Sequence, residues 1–100
     1  MEEAVIVDAV RTPLGKRSGV LSDWHPADLA AETLKALAER NSLDPVLVDD
    51  VIMGCVSQAG DQTWNIGRNA VLGAGWRSAW FVSYVEGRKH LPVIELRRAA

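Results

Sequence analysis

Ala4-Val5-Ile6-Val7-Asp8-Ala9-Val10 runs into the turn Arg11-Thr12-Pro13-Leu14-Gly15, and a second run of the same kind, Val51-Ile52-Met53-Gly54-Cys55-Val56, follows later in the chain. The first is apolar on both sides of the pleat except at Asp8. That is the pattern of a strand covered by two layers rather than one facing water. Pro13 and Gly15 end it, and Lys16-Arg17-Ser18-Gly19 continues as a polar loop. Between the two runs lies a helical pattern opening at His25-Pro26, where proline at the first helical position gives up an N–H that has no partner anyway. Ala30, Leu34, Leu37 and Ala38 recur on one side of this helix, and Asp28, Glu32, Lys35 and Glu39 occupy the other. Arg40 and Asn41 suit its end, and Asp44-Pro45 signals one short turn before the second strand. Strand, helix and strand in this order make a βαβ unit, whose connection is right-handed in nearly all known cases. The fold class expected is therefore α/β.

Beyond the second strand, Ser57-Gln58-Ala59-Gly60-Asp61-Gln62-Thr63 is a polar connection in which Asp61 or Thr63 can cap a helix from Trp64 to Leu72. Ile66, Ala70 and Gly73 fall on one stripe of it, and Gly75 closes it. Gly67 and Gly73 each cost about 1 kcal/mol in a helix interior, which close packing would offset. From Arg77 the texture changes. Ala79 to Val85 is strand-like, Glu86-Gly87-Arg88-Lys89-His90 turn-like, and Val93 to Leu96 can pair back to complete a C-terminal β-hairpin. Pro92 restricts that strand to an edge, and Arg97-Arg98-Ala99-Ala100 is expected to fray. The division expected is residues 1–76 as one domain and 77–100 as a divergent tail.

Composition narrows the function. One hundred residues with 48% hydrophobic and 24% charged content form an ordinary globular chain. A chain of this size buries about 60–70% of its unfolded surface, so its core has a thin margin. The net charge of −2 offers no general attraction to nucleic acid or anionic lipid. Its distribution is uneven: residues 1–76 hold six Lys/Arg against eleven Asp/Glu, and residues 77–100 hold five against two. A single cysteine excludes an internal disulfide and any CxxC ligand set. There is no basic leader before the first apolar run and no window near ~18 consecutive apolar residues. A cytoplasmic chain without membrane or nucleic-acid partners is expected.

No motif supplies a site. Gly15-Lys16-Arg17-Ser18 lacks the glycine that a phosphate loop needs five positions earlier, where Val10 stands. Gly73-Ala74-Gly75 ends a helix instead of opening one, and the third glycine of a dinucleotide fingerprint is replaced by Ser78. Cys55, with Met53 and Val56 around it, reads as a small buried hydrophobe rather than a nucleophile. His90 stands in a basic turn and reads as a solvated loop residue. Arg88-Lys89-His90 and Arg97-Arg98, near Trp80, Phe81 and Tyr84, carry too few charges to outweigh a solvated edge. Catalytic, cofactor-binding and metal residues are all expected to be none.

Three segments, in order, resemble the N-terminal portion of a thiolase. They are Arg11-Thr12-Pro13 with Gly15 and Gly19, Asp50 through Gly60, and Asn65-Ile66-Gly67-Arg68-Asn69-Ala70 through Gly73-Ala74-Gly75-Trp76. The resemblance covers roughly residues 4–76. It implies a chain several times longer, built from two related α/β halves and usually oligomeric, that transfers acyl groups from coenzyme A thioesters through a cysteine activated by histidine. It further implies a Cys-Gly-Ser-like turn after the position of Trp76, where this chain has no cysteine. The second cysteine and the histidine belong, by the same resemblance, to the C-terminal half. The expectation is a truncated, inactive thiolase-like acyltransferase whose tail arises from a shifted reading frame or from unrelated coding sequence. The alternative is a non-catalytic interaction module that pairs with an intact thiolase subunit or with itself. An acyl-CoA substrate enters by the resemblance alone.

Overall fold

A computed structural model of the chain describes residues 3–76, 82–86 and 95–97, the last two as backbone strands. Helix α1 spans Pro26–Arg40, strand β1 Asp50–Cys55, helix α2 Ile66–Gly73, strand β2 Val82–Glu86 and strand β3 Glu95–Arg97. Single 3-10 turns at Pro45–Leu47 and Gly60–Gln62 link the first three. The sheet order is β2-β1-β3. β2 runs parallel to β1 from the pair Val51–Val82 to the pair Cys55–Glu86, as a crossover through α2 requires. β3 is antiparallel on the other edge and pairs with Asp50, Val51 and Ile52.

Pro26 opens α1 as its sequence implies, but the cap is made by the histidine before it. Nδ1 of His25 accepts the N–H of Ala27 at 3.1 Å, relieving one of the orphan donors of the first turn. The helix ends in a Schellman motif. Ser42 takes the left-handed position at φ 47°, its N–H reaches Glu39 O at 3.3 Å, and Leu43 N–H reaches Ala38 O at 2.9 Å. The buried stripe is Ala27, Ala31 and Leu34, with Ala30 and Ala38 packed at its margin. It is rotated from the expected stripe, so that Leu37 is only half-buried.

β1 buries Val51, Met53 and Cys55 on one face, while Ile52 and Gly54 are half-covered on the other. The strand is thus one-sided rather than fully sandwiched. α2 lies over β1 and β2, and α1 packs beside α2. The core consists of Ala27 and Leu34 of α1, the buried face of β1, Ile66, Ala70 and Val71 of α2, and Trp76 just after it.

α2 starts later than expected. Its cap is Asn65, whose side chain accepts Arg68 N–H at 3.1 Å. Neither candidate cap performs that role: Thr63 Oγ1 donates to Gly60 O at 2.8 Å, and Asp61 lies within the preceding turn. Trp64 and Asn65 both have positive φ, 61° and 56°. They form a left-handed corner that turns Trp64 outward, 89% exposed, and ends the helical run before it can include Trp64. Gly73 makes no unusually close approach. An added Cβ would meet Ala31 Cβ at 3.5 Å, ordinary contact, so packing there does not demand glycine.

Two expectations about strands change. Residues 4–10 form no strand; Val5, Ile6 and Val7 are 73%, 92% and 76% exposed. A strand is completed only by ladder partners, and both edges of β1 are occupied by others. The expected C-terminal hairpin would turn within residues 87–94, which lie outside the described residues. Where its arms are described, each flanks β1 instead of pairing with the other.

The early segment is anchored by Asp8, the one charged residue in its apolar run. Asp8 Oδ2 accepts from Asn41 Nδ2 at 2.9 Å, and Oδ1 lies 3.3 Å from Arg40 Nη2. The Asn41 hydrogen bond, then the Ala9 N–H, then the charge of Arg40 hold the Asp8 carboxyl below its ordinary pKa. A depressed value stabilises the fold above the unfolded pKa, about 3.9, and this contribution is lost as pH falls through the folded value. Acid should therefore free the segment. Between pH 7 and 5 the Asn41 side-chain amide resonance is expected to stay fixed, and below about pH 4 to move toward its solvated position. An Asp8→Asn chain should show no such transition.

Candidate functional site

The chemistry-bearing side chains of the described residues gather around the turn after β1. Cys55 ends the strand with its side chain on the core face and is 6% exposed. Its Sγ lies 3.4 Å from Ser57 O and 3.5 Å from Gln62 Oε1. Both neighbours are carbonyl oxygens, acceptors within reach of the S–H and neither of them a donor or a cation. A nucleophilic cysteine needs the opposite surroundings, namely donors or cations that stabilise thiolate. The structural reading of Cys55 thus agrees with where the residue sits.

One residue from Gln62, Asp61 brings a carboxylate to 4.0 Å from Nε2 of His25. Cysteine, histidine and aspartate are the residue types of an acyl-transfer triad, so the arrangement calls for a test of roles. His25 fails as a base. Its Nδ1 lone pair is engaged by the Ala27 N–H, and its Nε2 faces the carboxylate. In a neutral imidazole with an accepting Nδ1, the proton is on Nε2, pointing at Asp61. No nitrogen is left to take a proton from a thiol. The His25–Asp61 contact brings the start of α1 beside the Gly60–Gln62 turn, and with both side chains substantially exposed it adds little stability.

The sequence gives little warning of this cluster. His25 was legible as a helix boundary through Pro26, but its capping role was not, because histidine is not among the preferred cap residues. Gln62 carries no pattern at all. His90 lies outside the described residues, as do Arg88, Lys89, Arg98, Trp80 and Phe81. Lys16 and Arg17 sit in an exposed turn closed by Gly19 N–H to Lys16 O at 2.9 Å. Among the described residues there is no group of three His, Cys, Asp or Glu placed to hold a metal ion. No helix of the described residues is long and apolar enough to cross a membrane.

The chain has clear relatives. The family described as thiolase, N-terminal domain, matches residues 4–86. A steroid 3-ketoacyl-CoA thiolase of Mycobacterium tuberculosis is 50% identical over 76 residues, which cover 76% of this chain and 19% of that protein. Two 3-ketoacyl-CoA thiolases, of Shewanella loihica and Shewanella denitrificans, are 51% and 52% identical over 77 residues, covering 75% of this chain and 20% of each relative. The chain thus spans about a fifth of the length of the curated relatives it matches.

Proposed function

This chain belongs to the thiolase family, and we propose that its residues supply N-terminal scaffold of an acyl-CoA acyltransferase and none of the groups that react. The observation that carries this reading is the setting of Cys55. The thiol is buried and faces two carbonyl oxygens, and the lone pair of His25 Nδ1 is taken up in capping a helix. Transfer of an acyl group through sulfur requires a thiolate, a base and an oxyanion site. The hydrogen bonds around Cys55 and His25 support the scaffold reading over either of the first two.

The test is turnover by the 100-residue chain, read as release of free coenzyme A from acetoacetyl-CoA or acetyl-CoA, with Cys55→Ser as the paired variant. Neither chain is expected to turn over above the uncatalysed rate. Activity that disappears on Cys55→Ser would overturn the assignment, as would an acetyl adduct on Cys55 detected by mass spectrometry.

A second reading is favoured by the sheet edge. The described sheet ends at β2 on one side and β3 on the other, and the outward ladder groups of an edge strand invite a strand from another molecule. On this reading the chain pairs with an intact thiolase subunit or a second copy of itself. Co-purification with a full-length thiolase supports it, and a stable monomer that captures none rules it out.

A further inference from the structure

The segment from Ala4 to Val10 has the sequence of a covered strand and the exposure of a loop. Burying a valine or isoleucine side chain is worth about 1.5–3 kcal/mol, so leaving Val5, Ile6 and Val7 in water forgoes a substantial gain. The place where they would be buried is identifiable. Segment, α1 and β1 follow one another as a βαβ unit, which puts the segment parallel to β1 and next to it. The edge of β1 bearing β2 is the one reached by the crossover through α2. The other edge is left for the crossover through α1, and among the described residues β3 holds it at Asp50, Val51 and Ile52.

The segment is already prepared for that place. Asp8 is tied to Arg40 and Asn41 at the end of α1, which keeps the segment beside the helix that precedes β1. Asp8, Val10 and Thr12 are half-buried whereas Ala9, Arg11 and Pro13 are exposed, the two-residue alternation of an extended chain with one side covered. We propose that Ala4–Val10 and β3 compete for the same edge of β1, so that the chain has two alternative sheets: the one described here, with the tail strand in, and one in which the N-terminal strand displaces it.

Residues 11–25 join the segment to α1, a tether short enough to keep it at an effective concentration of order millimolar near its own sheet. Exchange within one chain therefore outcompetes donation to a second copy at micromolar protein. The exchange is independent of the catalytic reading, since no reacting group takes part.

Amide hydrogen exchange on the isotopically labelled full chain tests it. Glu95→Pro with Leu96→Pro removes two consecutive N–H groups of the three in β3, one of which faces β1. In that variant the amides of Val5 to Val10 are expected to exchange at least tenfold more slowly than in the parent chain, while Asp50 to Ile52 stay protected. Adding Ile6→Pro should then raise exchange at Asp50 to Ile52 at least tenfold, although Ile6→Pro alone leaves them unchanged. The proposal is overturned if Val5 to Val10 stay unprotected in the double variant, or if that variant fails to fold, because the replacement strand should sustain the sheet. A rise in exchange at Asp50 to Ile52 from Ile6→Pro alone would also overturn it, as would slowing that depends on protein concentration and accompanies a dimer in sedimentation.

Discussion

Leu34→Ala is expected to lower stability by about 3 kcal/mol, within the 2–5 kcal/mol typical of a fully enclosed leucine. Leu34 is 0% exposed and, with Val71, is among the largest fully buried side chains of the described residues. It lies in the core where α1 meets the buried face of β1 and the inner side of α2. Removing its branched end leaves a cavity bordered by groups on separate elements, which cannot all relax inward. A small domain has about 5–15 kcal/mol to lose, and a ~100-residue one melts roughly 4–8 °C lower for each kcal/mol removed. Thermal denaturation should therefore shift by roughly 10–20 °C, or the cooperative transition should vanish. Leu37→Ala is the control, since Leu37 is half-buried, and it should cost well under half as much. Equal losses at the two positions would place the helix's inner face where the sequence pattern first put it, between Leu34 and Leu37, and contradict the observed packing.

That contrast shows what the sequence could reveal and what it could not. The limits of α1 were legible because Pro26 and Asn41 act locally, each through its own backbone position. Its inner face was legible only to within about one residue's rotation, since alanines lie on all sides and the choice between Ala30 and Ala31 depends on what α2 presents. β1 was legible from Val51-Ile52-Met53, but its one-sidedness was not, because coverage is a property of neighbours. The same reason explains residues 4–10, where the apolar pattern is strong and the ladder partner is elsewhere in the chain. The start of α2 was hidden for another reason. Asp61 and Thr63 are good caps by residue type, yet the left-handed corner at Trp64 and Asn65 moves the first turn beyond them. The burial of Cys55 was legible from Met53, which shares its face of β1, whereas Val56, the other apolar neighbour, is 53% exposed beyond the strand's end. The contact between His25 and Asp61 joins residues far apart in sequence and left no local trace.

Trp76→Ala should prove as damaging as any single change to the core, at about 3–5 kcal/mol. Trp76 is 5% exposed, whereas Trp24 is 44% and Trp64 89% exposed. Its burial follows from how α2 ends. Gly75 takes φ 79°, a left-handed conformation that glycine adopts without steric cost. The chain then folds back so that Trp76 N–H reaches Val71 O at 3.2 Å and Gly75 N–H reaches Leu72 O at 3.0 Å. This is a complete Schellman motif, and its usual hydrophobic contact joins the residue after the glycine to the helix's last turn. Here those residues are Trp76 and Val71, both in the core. Alanine at 76 keeps the backbone hydrogen bonds and loses only the indole, so the deficit measures packing alone. Gly75→Ala tests the other half of the device: it keeps the indole but forces a Cβ into the left-handed region, and should cost about 1–2 kcal/mol. Trp64→Ala, at an exposed corner, should stay within about 0.5 kcal/mol. Chemical denaturation of the three variants should rank them Trp76→Ala, Gly75→Ala, Trp64→Ala in decreasing loss. If Trp76→Ala instead falls level with Trp64→Ala, the indole is not part of the core and the closure of the domain at α2 must be redrawn.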